Sequence, residues 1–363
     1  MSEATVLLDE AIAALRALPG VDVHDGSPHA ELGGDVDGRT YRPDLEICIT
    51  VQGRPVVVVI EAKASGYPRD VREAMHQVRQ MVEARAGNNG TVVIPVLVTA
   101  SLSVGARELL RQEDMAYWDR SGSLYLKLPW ALYYVDRAPL GGEPRALRHL
   151  YKGRSARVLH AMLLDPDRRW HTQELAAQAE VSPYTVHRVF TALEEQLWVE
   201  RQGAGPATTR LLREPGKLLD AWAGDHSLAA YTVHRYYHWT QSPSILRGFV
   251  THALDTQGVA YALTLASGAE LVAPFGTPGS QLQVLVPSAA DIDHFAEAAG
   301  LSPAQEGENV LFLSDGSKDP LQFRRQVMGI SVASPVWLYL DLWAWPKRGK
   351  EQARRLRSEL LPY

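Results

Sequence analysis

Two acidic residues and a lysine, Asp44, Glu61 and Lys63, are of types that could together hold a divalent metal ion. Two adjacent carboxylates repel each other unless a hard cation such as Mg²⁺ or Mn²⁺ lies between them. Such a cation can polarise a phosphate and lower the pKa of a bound water, while a lysine orients that water or neutralises developing charge. We therefore predict Asp44 and Glu61 as metal ligands and Lys63 as a catalytic residue, provided the fold brings them together.

The chain that joins these residues has the pattern of a β-hairpin. Leu45–Val51 and Pro55–Ile60 are rich in β-branched side chains, which favour strands, and Gln52-Gly53 separates them. Glycine readily adopts the positive φ that a two-residue hairpin turn requires. We expect two antiparallel strands joined by Gln52 and Gly53.

The register of this hairpin decides whether the three residues can meet. With a two-residue loop Asp44 lies opposite Glu61, and directly opposed Cβ atoms are roughly 4.5–5.5 Å apart on one face. Lys63, two residues beyond Glu61, points to the same face. A three-residue loop would pair Asp44 with Ala62 and put the two acids on opposite faces.

Pro43-Asp44 followed by Glu61-x-Lys63 resembles the signature of the PD-(D/E)XK, or restriction endonuclease-like, nuclease superfamily. That superfamily has an α-β-β-β-α-β core with the acids on the second and third strands. The resemblance implies that Asp44 and Glu61 hold Mg²⁺ or Mn²⁺ and that Lys63 assists the nucleophile, in a domain of residues 1–140. The alternative is an exposed strand end that happens to carry these residues.

The same resemblance adds two candidates. Glu10, on a helix predicted over Glu3–Leu18, matches the first-helix acid of some members, and the alternative is a solvent-facing glutamate. Gln77, on a helix predicted over Arg69–Ala86, stands where the RecB-like branch has a Gln-x-x-x-Tyr motif, although Met81 replaces the tyrosine. The alternative for Gln77 is an ordinary surface residue.

The remaining pattern completes this first domain. Val21–Ala30 predicts a strand before the hairpin, and the nearly continuous apolar run Thr91–Thr99 predicts a strand buried on both faces. Pro95 within that run is unexpected, because proline cannot donate to a ladder. Leu140–Pro144 predicts a linker.

Residues 150–213 have the pattern of three helices followed by two strands. Ser182 and Pro183 are favoured as N-cap and first helical residue. The segment resembles a winged helix-turn-helix domain, in which the second helix of the motif enters the major groove of double-stranded DNA. The resemblance implies DNA contacts from the helix and the wing, through Ser182, Tyr184, Thr185, His187, Arg188, Arg201 and Arg210.

The charge balance limits how DNA could be bound. The chain as a whole has a net charge of −5, so it has no global basic field. Residues 151–213 hold nine lysines and arginines against seven acids, a local net charge of +2. Any DNA contact must therefore come from a local basic patch that neutralises phosphates where it touches them.

Residues 214–363 predict a mixed α/β domain. Ser334–Leu342 followed by Arg348–Ala353 resembles the C-terminal signature of AbiEi-type antitoxins, the transcription regulators of type IV toxin-antitoxin systems, and His171–Pro206 is similar to their winged helix. The resemblance implies DNA binding and a cognate toxin as partner. A homodimer is the default for a winged-helix regulator that reads palindromes.

The length predicts several domains, and the predicted strands and helices together make the expected fold class α/β multidomain. Its 363 residues exceed the roughly 250–300 at which single hydrophobic cores stop growing.

The single cysteine, Cys48, excludes an intramolecular disulfide. Without a signal peptide or long apolar run, we expect a cytoplasmic protein with no membrane partner.

Three interpretations follow for the whole chain. In the first, it is an Mg²⁺-dependent DNA endonuclease whose winged helix delivers the duplex to Asp44, Glu61 and Lys63. In the second, it is an AbiEi-like antitoxin and transcriptional regulator with a catalytically silent nuclease fold. In the third, all domains are scaffolds, which would not require a cluster of two acids and a lysine.

Overall fold

The computed structural model describes residues 3–24, 34–36, 39–41, 43–83, 92–138, 147, 149–275, 279–288, 292–346 and 348–363. The chain is mixed α/β and divides into two compact units, residues 1–148 with 191–197, and residues 149–190 with 198–363. Within the described ranges, no helix is both long and apolar enough to span a membrane. The predicted linker Leu140–Pro144 lies outside the described residues.

The first unit is built on a seven-stranded sheet in the order β1-β4-β5-β6-β7-β8-β9, with β2 and β3 forming a separate pair. β5, β6 and β7 are parallel to one another, and the other neighbours are antiparallel. Its elements are α1 (Glu3–Arg16), β1 (Val21–Val23), β2 (Gly34–Val36), β3 (Arg39–Tyr41), β4 (Leu45–Val51), β5 (Arg54–Lys63), α2 (Pro68–Glu83), β6 (Val92–Thr99), α3 (Val104–Gln112), β7 (Ala116–Asp119), β8 (Leu124–Leu128) and β9 (Ala131–Val135).

Helices cover the two faces of this sheet with two separate cores. Val58 and Ile60 of β5 pack with Leu7 of α1 on one face. Val59, between them, packs with Val71 of α2 on the other face, which also receives α3. Because strand side chains alternate between faces, Glu61 and Lys63 belong to the face of α2 and α3.

The second unit begins with three helices and a small sheet. The antiparallel sheet has the order β10-β12-β11, so the last strand lies between the other two. The elements are α4 (Gly153–Leu164), β10 (Arg169–Trp170), α5 (Thr172–Gln178), α6 (Pro183–Glu195), β11 (Val199–Gln202) and β12 (Thr209–Leu212). The end of α6 falls in residues 191–197, which group with the first unit.

The rest of the second unit is a mixed seven-stranded sheet with helices. Its strand order is β16-β13-β17-β15-β14-β19-β18. The elements are α7 (Pro215–Asp225), β13 (Thr232–Tyr237), α8 (Pro243–Thr256), β14 (Ala262–Leu263), α9 (Leu265–Val272), β15 (Leu282–Leu285), α10 (Ile292–Ala298), β16 (Ser302–Pro303), β17 (Val310–Ser314), β18 (Arg325–Val327), β19 (Ile330–Val332), α11 (Pro335–Ala344) and α12 (Gly349–Leu360).

Within the second unit, residues from the predicted segments 150–213 and 214–363 contact each other. The ring of Tyr151 stacks on Trp222 of α7 with 6.2 Å between centroids. The fully buried His160 of α4 lies 2.5 Å from the Ser334 hydroxyl at the start of α11, measured from Nε2 to Oγ. This burial lowers the pKa of His160 to about 3. The two segments share a core and form one compact unit.

Candidate functional site

The turn of the β4–β5 hairpin has the predicted two-residue loop. Gln52 and Gly53 have φ values of 51° and 78°, which place both in the left-handed region, as the common two-residue hairpin turn requires. Val51 pairs with Arg54, and the ladder continues without a bulge to Leu45 and Ile60. The predicted register is therefore confirmed.

This register brings the two predicted acids together. Asp44 directly precedes β4 and Glu61 follows Ile60, so the two residues lie opposite each other on the α2/α3 face. The Asp44 carboxylate accepts a hydrogen bond from the backbone N–H of Ala62, with 2.8 Å between Oδ2 and N. Asp44 is exposed, whereas Glu61 is only 7 % exposed.

Lys63 lies next to the acids and is held by two acceptors. Its ammonium nitrogen is 2.8 Å from Oε1 of Glu61 and 3.4 Å from Oε1 of Gln77 on α2. About a third of the Lys63 side chain is exposed, so the ammonium lies where the site opens to solvent. The structure thus groups Asp44, Glu61, Lys63 and Gln77.

The environment of Glu61 disfavours its charged form. Burial raises the pKa of Glu61, and the negative charge of Asp44 adds to the rise, while the hydrogen bond from Lys63 acts in the opposite direction. Its second oxygen, Oε2, is buried and has no hydrogen-bond partner among the residues that the structure describes. A positive ligand at Oε2 would remove both costs.

These residues fit a divalent cation with few protein ligands. Asp44 and Glu61 supply hard oxygen donors, and the unpartnered Oε2 of Glu61 is available to a ligand. The described part of the chain holds no group of three or more histidine, cysteine or acidic side chains that could bind a metal. Mg²⁺ commonly keeps several waters and takes one or two carboxylates plus a substrate phosphate, so two acids suffice for it.

Glu10 does not join this group. It lies on α1, which packs on the opposite face of the sheet. Its carboxylate accepts a hydrogen bond from Arg120, with 2.6 Å between Oε2 and Nε. Glu10 is thus exposed on the sheet face opposite Asp44 and Glu61, as the alternative of a solvent-facing glutamate describes.

The candidate DNA-contacting residues of α6 lie largely on its outer face. Tyr184 is 72 % exposed, and His187 and Arg188 are exposed as well. The exposed Ser182 caps the helix, since its hydroxyl accepts the backbone N–H of Thr185 at 3.2 Å. Thr185 is half-buried. The helix thus presents Tyr184, His187 and Arg188 to solvent.

The two candidate arginines of the wing differ in their surroundings. Arg201 and Arg210 are paired across the β11–β12 ladder, but only Arg201 is exposed. Arg210 is 8 % exposed, and its guanidinium carbon lies 4.9 Å from the ring centroid of Phe190. Arg210 therefore packs within this segment, and its contact to DNA stays a prediction.

Two polar residues near the acids were not predicted. Glu46, two residues after Asp44, lies opposite Val59 and so points to the α2/α3 face. Thr99, the last residue of β6, lies opposite Lys63. The place of Thr99 in the sequence could have marked it as a site residue. It is the first polar residue at the carboxyl end of a buried parallel strand, where ligands of α/β sheets usually bind.

Comparison of the chain with protein-family models, with curated proteins and with solved structures finds no match.

Proposed function

We propose that this protein binds DNA and cleaves its phosphodiester bonds at a metal-dependent site of the PD-(D/E)XK type. The observation that carries the proposal is the hairpin register, which puts Asp44 opposite Glu61 and Lys63 on their face of the sheet. If these residues were at a strand end by chance, we would not expect Glu61 to be buried beside the charged groups of Asp44 and Lys63.

The order of the surrounding elements supports the proposal. From the amino terminus, α1, β1, β4, β5, α2 and β6 follow the α-β-β-β-α-β order of the superfamily, with β2 and β3 as an inserted pair. Asp44 directly precedes the second of these core strands, and Glu61 lies on the third.

The chain's own groups have distinct roles in the proposed hydrolysis. Asp44 and Glu61 would hold the metal, which supplies Lewis-acid polarisation of the phosphate and a more acidic water. Lys63 orients the attacking water and offsets the negative charge that develops on the phosphate oxygens. The water oxygen bonds to phosphorus and the water proton passes to solvent. The bond from phosphorus to the leaving sugar oxygen breaks, and that oxygen takes a proton from solvent.

The start of the second unit offers a means of DNA binding. Three helices, with a short strand after the first, and a sheet in which the last strand is central are consistent with a winged helix-turn-helix. Arg188 is exposed and has no hydrogen-bond or ion-pair partner within the described ranges. Its charge is therefore available to a DNA phosphate, as is that of Arg201 on the wing.

A regulator of the AbiEi type with a silent nuclease fold is the second candidate. It is favoured by the ion pair between Lys63 and Glu61, which already occupies one carboxylate oxygen of the proposed metal site. In that case the protein would bind double-stranded DNA, with a homodimer and a cognate toxin as possible partners, without cleaving it.

A cleavage assay separates the two candidates. Plasmid and linear DNA are incubated with the protein and Mg²⁺ or Mn²⁺, beside the Lys63→Ala variant. The nuclease proposal predicts metal-dependent cleavage by the wild type, which Lys63→Ala removes while DNA binding is retained. Binding without cleavage by the wild type favours the regulator.

A further inference from the structure

We infer that Thr99 is a positioning residue of the proposed nuclease site, and that its hydroxyl binds a water molecule beside Lys63 and Glu61. The role of that water rests on the proposed function, whereas its binding rests on geometry alone. Thr99 ends β6 and lies directly opposite Lys63 in the parallel β5–β6 ladder. Adjacent strands are about 4.8 Å apart, so the two side chains are neighbours.

The Thr99 side chain points to the face of the proposed site. Leu97, two residues earlier on β6, belongs to the core under α2 and α3, and Val98 to the core under α1. Strand alternation therefore puts Thr99 on the same face as Glu61 and Lys63.

The hydroxyl of Thr99 needs a partner that the described residues do not supply. Thr99 is fully buried, and its Oγ1 makes no hydrogen bond to any of them. Buried hydroxyls in native proteins are nearly always hydrogen-bonded to protein or to ordered water, because an unpaired one is costly. A bound water is the simplest partner for an atom in this position.

The neighbour on the other side of Thr99 cannot act as the partner. Asp119 of β7 lies opposite Thr99, and its two carboxylate oxygens are already engaged. Oδ2 accepts the backbone N–H of Leu102 at 3.1 Å and the Arg107 guanidinium at 2.7 Å, while Oδ1 accepts the N–H groups of Ser121 and Ser123. We therefore place the partner of the hydroxyl on the Lys63 side.

Lys63 and Glu61 each have a polar group that can form a hydrogen bond with this water. An ammonium has three N–H donors. In the described part of the chain, Lys63 donates to two acceptors, Glu61 and Gln77, so one donor remains. Oε2 of Glu61 is buried without a partner there. In the absence of metal, these groups and Thr99 give a water three partners, which is the usual number for a buried water. When a metal binds Oε2, Thr99 and Lys63 remain as partners of the water.

A water held in this way lies beside the lysine that orients the nucleophile. Thr99 would fix the water beside Lys63, so its role is positioning rather than proton transfer. Misplacement of a reacting group by about 1 Å can slow catalysis about 10²-fold, so loss of the hydroxyl should be visible in the rate.

The test compares wild type with Thr99→Val, which keeps the shape and removes the hydroxyl, and Thr99→Ser, which keeps the hydroxyl. The full-length proteins are crystallised without DNA at a resolution that places ordered waters, and Mn²⁺-dependent plasmid cleavage is measured at saturating DNA. We expect a water within hydrogen-bond distance of Thr99 Oγ1 and Lys63 Nζ in wild type and Thr99→Ser. In Thr99→Val we expect it to be lost and the rate to fall about 10²-fold at unchanged KM.

The outcomes separate this inference from the proposed function. A wild-type crystal without that water overturns the inference whether or not the protein cleaves DNA. A water that is present while Thr99→Val cleaves like wild type overturns the positioning role. If no variant cleaves although the water is present, the nuclease proposal and the positioning role fail together, and the bound water alone is supported.

Discussion

Asp44 and Glu61 lie directly opposite each other where β4 begins and β5 ends. The Asp44 carboxylate is fixed there by the backbone N–H of Ala62, the residue between Glu61 and Lys63. The charge of Asp44 adds to the effect of burial in raising the pKa of Glu61. A cation bound between the two carboxylates would offset this repulsion and favour the charged form of Glu61.

Mn²⁺ should raise the melting temperature of the wild-type protein in the absence of DNA. The expected cause is preferential binding to the folded state, which adds about 2.7 kcal/mol of stability at a metal concentration of 100 times Kd. Asp44→Asn and Glu61→Gln should lose most of the shift, since each removes one of the two anionic ligands. Differential scanning fluorimetry measures all three proteins.

The matched control for this metal experiment is Glu10→Gln. Glu10 is an exposed acid of the same unit, but it lies on the opposite sheet face and bonds Arg120. It should keep the full wild-type shift. A shift that survives in Glu61→Gln, or that is lost equally in Glu10→Gln, would locate metal binding elsewhere.

Without metal, Glu61→Gln should stabilise the protein at neutral pH. The folded-state pKa of Glu61 is raised, so the folded chain binds this proton more tightly than the unfolded chain does. The charged carboxylate thus costs stability above the folded pKa, and the cost disappears as the pH falls through that value. Melting temperatures of the two proteins should therefore differ at pH 7 and converge in acid; a difference independent of pH would refute this.

Arg188→Ala should weaken binding to duplex DNA at low salt. If the exposed guanidinium neutralises one phosphate, the slope of log affinity against log salt should decrease in magnitude by about 1. Lys217→Ala, at an exposed lysine of α7, serves as the control and should keep the wild-type slope. Fluorescence anisotropy over a salt series measures both, and an unchanged slope removes Arg188 from the interface.

Arg107→Met should strongly destabilise the first unit. Arg107 and Asp119 form a buried ion pair, with 2.7 Å between Nη2 and Oδ2. Removing one partner leaves a buried charge, which typically costs about 3–5 kcal/mol. Arg79→Met breaks the exposed pair with Glu113 and should cost no more than about 1 kcal/mol. Urea unfolding curves compare the two, and equal losses would contradict this ranking.

The hairpin shows which part of the site could be predicted from the sequence. Gln52-Gly53 sets the turn, the turn sets the register, and the register alone places Asp44 opposite Glu61. Each step depends on residues close in sequence, so local rules are sufficient.

Pro95 is accommodated because β7 pairs with β6 only from Val96 onward.

The surroundings of Glu10 and Arg210 depend on packing between distant segments, which local sequence patterns do not reveal. Helical spacing places Glu10 on the outside of α1 but does not say which sheet face α1 covers. Arg210 is buried, and its guanidinium lies against the ring of Phe190, a residue 20 positions earlier in the chain. The stack of Tyr151 on Trp222 likewise has no local signature.

The most direct test of the nuclease proposal is the Mn²⁺-dependent single-turnover cleavage of plasmid DNA by wild type and Lys63→Ala, with DNA affinity measured on the same samples. Lys127→Ala, at an exposed lysine that pairs with Asp114, is the matched control. We predict that Lys63→Ala lowers the cleavage rate at least about 10²-fold and leaves affinity unchanged, while Lys127→Ala behaves like wild type. Equal cleavage by wild type and Lys63→Ala, or cleavage by neither on a broad set of DNA substrates, would contradict it.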